Sequence, residues 1–186
     1  VLDGVMVRVV PGTEVLFDEN QIAQRVDQLG KEVAGDYDSL LLIGVLTGAF
    51  MVTTDLSKAL FVHGMDPTQL EIDFIAVTSY DGKQVSSREP IITKDVKKPI
   101  RDKHVLLVED IVDTGYSIRT LIAMLSAKEP VSLAVLSLLS KPERREVDVP
   151  IKYLGFSIPD KYVYGYGVDD GFEQYRSLPF IGYKVE

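Results

Sequence analysis

Residues 104–120, HVLLVEDIVDTGYSIRT, hold the densest group of side chains able to do chemistry. The apolar run from Val105 to Val108 reads as a buried strand, and it delivers two adjacent acids, Glu109 and Asp110, at its carboxyl end. Two apolar residues later come Asp113, Thr114, Gly115, Tyr116 and Ser117, then a helical pattern with Ile118, Leu121, Ile122 and Leu125 on one face. A small-residue turn that opens a helix points several backbone N–H groups into one concavity. The helix dipole adds partial positive charge and the hydroxyls add donors, which suits a phosphate. Two acids beside a phosphate would repel it unless they bind sugar hydroxyls or a cation. The string therefore describes a ribose-phosphate site, with the acids on the diol and the turn on the phosphate. Taken singly, each residue has a plainer explanation: a solvated acid pair at a strand end, or Asp113 as a helix N-cap. It is the whole string in register that argues for a site.

The surrounding elements alternate. Asp18 precedes a helix with Gln21 as a capping-box partner, and Ile22, Val26, Leu29 and Val33 recur at helical spacing up to Gly35-Asp36. Residues 39–45 (SLLLIGV) are too continuously apolar for a half-exposed strand and suit a central parallel one. A turn at Leu46-Thr47-Gly48-Ala49 leads into a helix ending near Leu60. Further strands are expected at 70–77, 105–108, 131–139 and 151–156. Strands separated by helices predict an α/β domain with a mostly parallel sheet, and ligands then sit beyond the carboxyl ends of the strands. Residues 79–93 (SYDGKQVSSREPIIT) break this rhythm and read as a long loop or hairpin.

The 186 residues favour one domain, and the chain is of ordinary globular composition, with 46% hydrophobic and 26% charged residues. No apolar run approaches the roughly 20 residues that span a bilayer. Cysteine is absent, which removes disulfides, thiolate metal sites and thiol nucleophiles. His63 and His104 are too far apart in sequence to suggest a metal pair. The net charge of −8 disfavours nucleic-acid binding. No basic segment with a small-residue cleavage site opens the chain, so the expected location is intracellular and cytoplasmic. No P-loop, nucleophile elbow or HExxH occurs.

The 104–120 string resembles the phosphoribosyl-pyrophosphate motif of the type I phosphoribosyltransferases, and its EDIVDTG wording is most similar to the hypoxanthine-guanine branch. The resemblance runs from about Val15 to Tyr183. It implies that fold: a mostly parallel sheet flanked by helices, a small hood from the N- and C-terminal segments, and a lid loop at about 79–93 carrying Ser79 and Tyr80. It implies that Glu109, Asp110, Asp113, Thr114, Gly115, Tyr116 and Ser117 hold the phosphoribosyl group, with Asp113 accepting the N7 proton of the base. Leu46, Thr47 and Gly48 match a pyrophosphate loop that often carries a non-proline cis peptide, and Arg176 matches an arginine on pyrophosphate. Lys141, Lys161, Tyr162, Val163 and Asp169 match purine-binding positions. An ammonium at Lys141 has donors only, so it prefers a 6-oxo to a 6-amino purine. The implied cofactor is Mg²⁺, near Glu109, Asp110 and Asp169.

The implied substrates are a 6-oxopurine and 5-phosphoribosyl 1-pyrophosphate, and the implied assembly is a homodimer or homotetramer, with no nucleic-acid or membrane partner. Two departures from the resemblance stand out: Thr47 where the family often has Lys, and Tyr116 where many members carry Lys or a small apolar residue. A regulatory member sensing nucleotides, of the pyrimidine-attenuator type, would want a basic face that this composition does not promise. A phosphate-receiver domain would explain the strand-end acids but not Lys141, Tyr162 and Arg176 in series.

Overall fold

The computed structural model describes residues 11–78 and 90–185. Its larger sheet has six strands in the order β4-β3-β2-β5-β6-β7. These are β2 (Leu40–Leu46), β3 (Leu70–Thr78), β4 (Ile91–Lys94), β5 (His104–Val112), β6 (Ser132–Ser140) and β7 (Tyr153–Ser157). All neighbours are parallel except β4, which runs antiparallel to β3 at the edge. The hairpin reading of the 79–93 segment thus holds at its described end, where Thr78 faces Ile91.

Among the described residues three α-helices cover the sheet: α1 (Glu19–Asp36), α2 (Phe50–Val62) and α3 (Tyr116–Ser126). The α1 start is fixed as the sequence predicts: Gln21 N donates to Asp18 Oδ1 and Asp18 N donates to Gln21 Oε1, both at 2.9 Å. Alternation along β2 builds two cores. Leu40 and Leu42 pack with Ile22, Leu29 and Leu56 on the α1/α2 side, whereas Leu41, Ile43 and Val45 pack with Ile118, Leu121 and Leu125 on the α3 side. This two-sided burial is why β2 is apolar at nearly every position.

A second sheet, in the order β1-β9-β8, joins β1 (Thr13–Phe17), β9 (Ile181–Lys184) and β8 (Val163–Tyr164), all antiparallel. It draws on segments near both ends of the described residues. It sits over the α1/α2 face, where Val163 and Ile181 join the core.

One boundary differs from expectation. The strand predicted to end at Val108 continues through Glu109 and Asp110 to Val112, because β6 supplies partners for it: Glu109 faces Ser137 and Val112 faces Ser140. The two acids are therefore held on the strand rather than on a loop.

Leu106 is fully buried in the middle of β5. Replacing it with Ala should cost about 2–5 kcal/mol through lost burial and an unfilled cavity, readable as a lowered denaturant midpoint.

Candidate active site

The chain leaves β2 through α2 to reach β3 on one side, and leaves β5 through α3 to reach β6 on the other. Between β2 and β5 the connections diverge, which opens a crevice at the strands' carboxyl ends. A cavity of about 360 Å³ lies there. Leu46, Gly48, Glu109, Asp110, Asp113, Thr114, Gly115, Ser117, Asp169 and Arg176 all line it. Val77, Thr78 and Ile111 add to its wall and were not singled out by the motif.

Two glycines set its shape. A Cβ on Gly48 would fall 1.7 Å from Asp110 Oδ2, so the β2–α2 turn can lie against this carboxylate only with no side chain there. The Leu46–Thr47 peptide preceding it is cis, as the resemblance implies. Gly115 is the N-cap of α3 with φ +96°, a conformation that suits glycine. Its α-carbon also presses on the Val147 carbonyl, which a Cβ would meet at 2.4 Å. Asp113 is therefore not the cap. The turn is braced from behind, since Glu146 N and Val147 N donate to the Thr114 carbonyl at 3.1 and 3.0 Å.

The acids differ in environment. Glu109 is buried, and burial, with the Asp110 charge adding to it, pushes its carboxyl well above the usual range. Asp110 Oδ1 accepts from the Ile111 N–H at 2.7 Å. Asp169 Oδ2 lies 3.4 Å from Arg176 Nη2 and accepts from Glu173 N at 3.2 Å. Arg176 also donates to the Gly167 carbonyl at 2.7 Å. Gly167 packs on the Gly48 carbonyl, so the C-terminal loop is tied to the β2–α2 turn. Asp170 is buried and accepts from Phe172 N and Gln174 N at 3.1 and 3.3 Å. It organises the loop that presents Asp169.

The remaining predicted positions do not line the cavity. Tyr116 turns away, its hydroxyl donating to Glu146 Oε2 at 3.1 Å. Lys161 Nζ sits 3.5 Å from the centroid of the Tyr183 ring. Val163 is buried in the small sheet and Tyr162 is largely exposed. Lys141 is buried beside the site, and its backbone N donates to the Val112 carbonyl at 3.0 Å. Thr47 lies between two lining residues. The predicted lid positions Ser79 and Tyr80 lie outside the described residues.

Sequence reasoning passed over Arg144, Arg145 and Asp160. Arg144 Nε donates to Asp113 Oδ1 at 2.7 Å, and Arg145 Nη2 donates to Ser140 Oγ at 2.7 Å and to the Val112 carbonyl at 3.3 Å, behind the turn. A charged run after a strand gave no sign of which members fold inward.

The Glu109 environment has a measurable consequence. A carboxyl whose folded pKa lies above its unfolded value costs no stability while both states are protonated. The cost begins as the unfolded chain ionises, near pH 4.5, and grows until pH passes the folded pKa. The Glu109→Gln variant lacks this cost. In thermal melts it should match the parent near pH 4 and gain on it as the pH rises above about 4.5.

The family model for the phosphoribosyl transferase domain matches residues 12–170. The hypoxanthine phosphoribosyltransferase of Escherichia coli (strain K12) is 41% identical over 173 residues, covering 91% of this chain and 93% of that protein. The hypoxanthine-guanine phosphoribosyltransferase of Dictyostelium discoideum is 38% identical over 172 residues, with 91% and 93% covered. Among solved structures, a hypoxanthine phosphoribosyltransferase from Staphylococcus aureus superposes with a TM-score of 0.84 at 38% identity, covering 92% of this chain and 91% of that one. One from Trypanosoma cruzi gives 0.88 at 34% identity, covering 96% and 94%. A crevice built from the motif residues, in a chain similar to these proteins over nine-tenths of its length, has one consistent meaning: the chain belongs to the phosphoribosyltransferase family, in its hypoxanthine-guanine branch.

Proposed function

We propose that this protein works in purine salvage, moving the 5-phosphoribosyl group of 5-phosphoribosyl 1-pyrophosphate onto N9 of hypoxanthine or guanine. The products are IMP or GMP and pyrophosphate. The observation that carries this reading is the convergence of the strand-end acids, the phosphate turn and Arg176 on one cavity at the β2/β5 divergence.

The chemistry divides among the lining residues. The Thr114–Ser117 turn offers backbone N–H groups and two hydroxyls at the start of α3, and these hold the 5′-phosphate. Asp110 and the buried Glu109 take the ribose hydroxyls. Burial raises the Glu109 carboxyl well above its usual range, which favours the protonated form that can donate as well as accept. Pyrophosphate lies against the Gly48 turn and Arg176, whose planar fork suits bidentate contact. Asp113 accepts the N7 proton of the purine. Lys141 donates to O6, and Tyr162 supplies a flat apolar face to the ring. Partial burial, with Asp169 and Asp170 adding to it, raises the Tyr162 phenol above its ordinary value, so it stays neutral at physiological pH.

The site also fits Mg²⁺. Among the described residues no three metal-ligating side chains form a closed cage. Mg²⁺ is commonly held by one or two carboxylates plus substrate phosphates and water, and Asp110 and Asp169 facing the same cavity meet that need. When bound it would neutralise charge on the departing pyrophosphate. The chain is proposed to act as a homodimer or homotetramer, which light scattering reads directly.

The decisive experiment is pyrophosphate release with each base supplied separately. Release with hypoxanthine or guanine and not with adenine is expected. Release with uracil alone would point instead to a pyrimidine-attenuator relative. Asp113→Asn should lower kcat by about 10²–10⁴-fold, the usual contribution of a positioned proton acceptor. Lys141→Gln, which can accept as well as donate, should relax the discrimination against adenine, read as a higher adenine-to-hypoxanthine ratio of kcat/KM.

A further inference from the structure

The two groups assigned above to the purine edge, Asp113 and Lys141, are joined by a line of charged side chains. Arg144 Nε donates to Asp113 Oδ1 at 2.7 Å, Arg144 Nη1 lies 3.4 Å from Asp160 Oδ2, and Lys141 Nζ lies 3.4 Å from Asp160 Oδ1. Two carboxylates and two cations alternate, so the line is neutral as a whole. Arg144 comes from the short 3-10 turn Pro142–Arg144 that follows β6, and Asp160 from the loop before β8. Only Lys141 is deeply buried; the side chains of Asp113, Arg144 and Asp160 are 39–46% exposed. Water and salt screen such pairs, so either end can open easily.

Resting on the function proposed above, we propose that Arg144 and Asp160 are positioning residues that stand in for the edge of the purine. The Arg144 N–H occupies the place on Asp113 where the purine N7–H would donate. The Asp160 carboxylate occupies the place by Lys141 where O6 would accept. An incoming 6-oxopurine exchanges for both contacts at once. The displaced Arg144 and Asp160 are already neighbours and close on each other, so no charge is left unpaired. No covalent bond changes in this exchange. Adenine cannot complete it, because its 6-amino group is a donor and cannot replace an acceptor at Lys141. The pair thus adds to base selection without touching the base.

Steady-state kinetics on three proteins test this: the parent, Asp160→Asn, and the double variant Arg144→Gln/Asp160→Asn. In Asp160→Asn the amide oxygen can still accept from Lys141, but the displaced arginine loses its anionic partner and stays on Asp113. The KM for hypoxanthine should then rise about two- to fivefold, the range of an exposed ion pair, with kcat and the KM for 5-phosphoribosyl 1-pyrophosphate nearly unchanged. Removing the arginine as well removes the competitor, so the double variant should return to the parental KM or below. A structural role would not produce this rescue. Equal or additive losses in the double variant, or losses in kcat at constant KM, would overturn the proposal while leaving the enzyme reading intact. A parent protein that releases no pyrophosphate with hypoxanthine would overturn both.

Discussion

Parallel pairing of β2 with β5 is the constraint on which the site depends. The register, Leu41 with Val105 through Gly44 with Val108, carries the two strands upward in step. The turn after β2 therefore arrives beside the acids at the end of β5, close enough that Gly48 lies against Asp110 with no room for a side chain. A slip of one residue would exchange the faces of either strand and turn its core residues outward. Because both faces of both strands are buried, the two cores resist such a slip and hold the crevice as well as the fold.

The second problem is electrostatic. Under the proposed function, an acidic protein has to hold a phosphate and a pyrophosphate beside two carboxyl groups. Burial lifts the Glu109 pKa, which disfavours a second full negative charge beside Asp110. Positive potential comes from the backbone of the Gly115 turn, from Arg176 at the opposite wall, and from Arg145 behind the turn. Tyr116 points out to Glu146, so the turn offers amides and hydroxyls and no side-chain charge at that position. The acids on the C-terminal loop are divided in the same spirit: Asp170 is turned inward to tie the loop together, and Asp169 is left facing the cavity.

Much of this was legible because local chemistry dictated it. The Asp18/Gln21 capping box fixed a helix start, and the apolar run of β2 could only be a strand covered on both sides. The 104–120 string carried its own turn, since strand, small-residue turn and helix are consecutive in the chain. β5 ran past its predicted end because the extra residues find ladder partners on β6, a strand more than twenty residues away. Local pattern carries no information about such a partner.

The sequence by itself determined the alternating α/β order, the small-residue turn that opens α3 and the identity of the acids, because each depends on neighbours within a few residues. Only the tertiary structure decided how those acids differ, since the burial of Glu109 is a property of packing and not of its type. It alone decided that Tyr116 and Lys161 face away from the cavity, and that Arg144 and Asp160 link Asp113 to Lys141. Those contacts join β6, the loop before β8 and the turn after β5, and a distance of 2.7 Å between Arg144 and Asp113 exists only once the sheet has set those segments side by side.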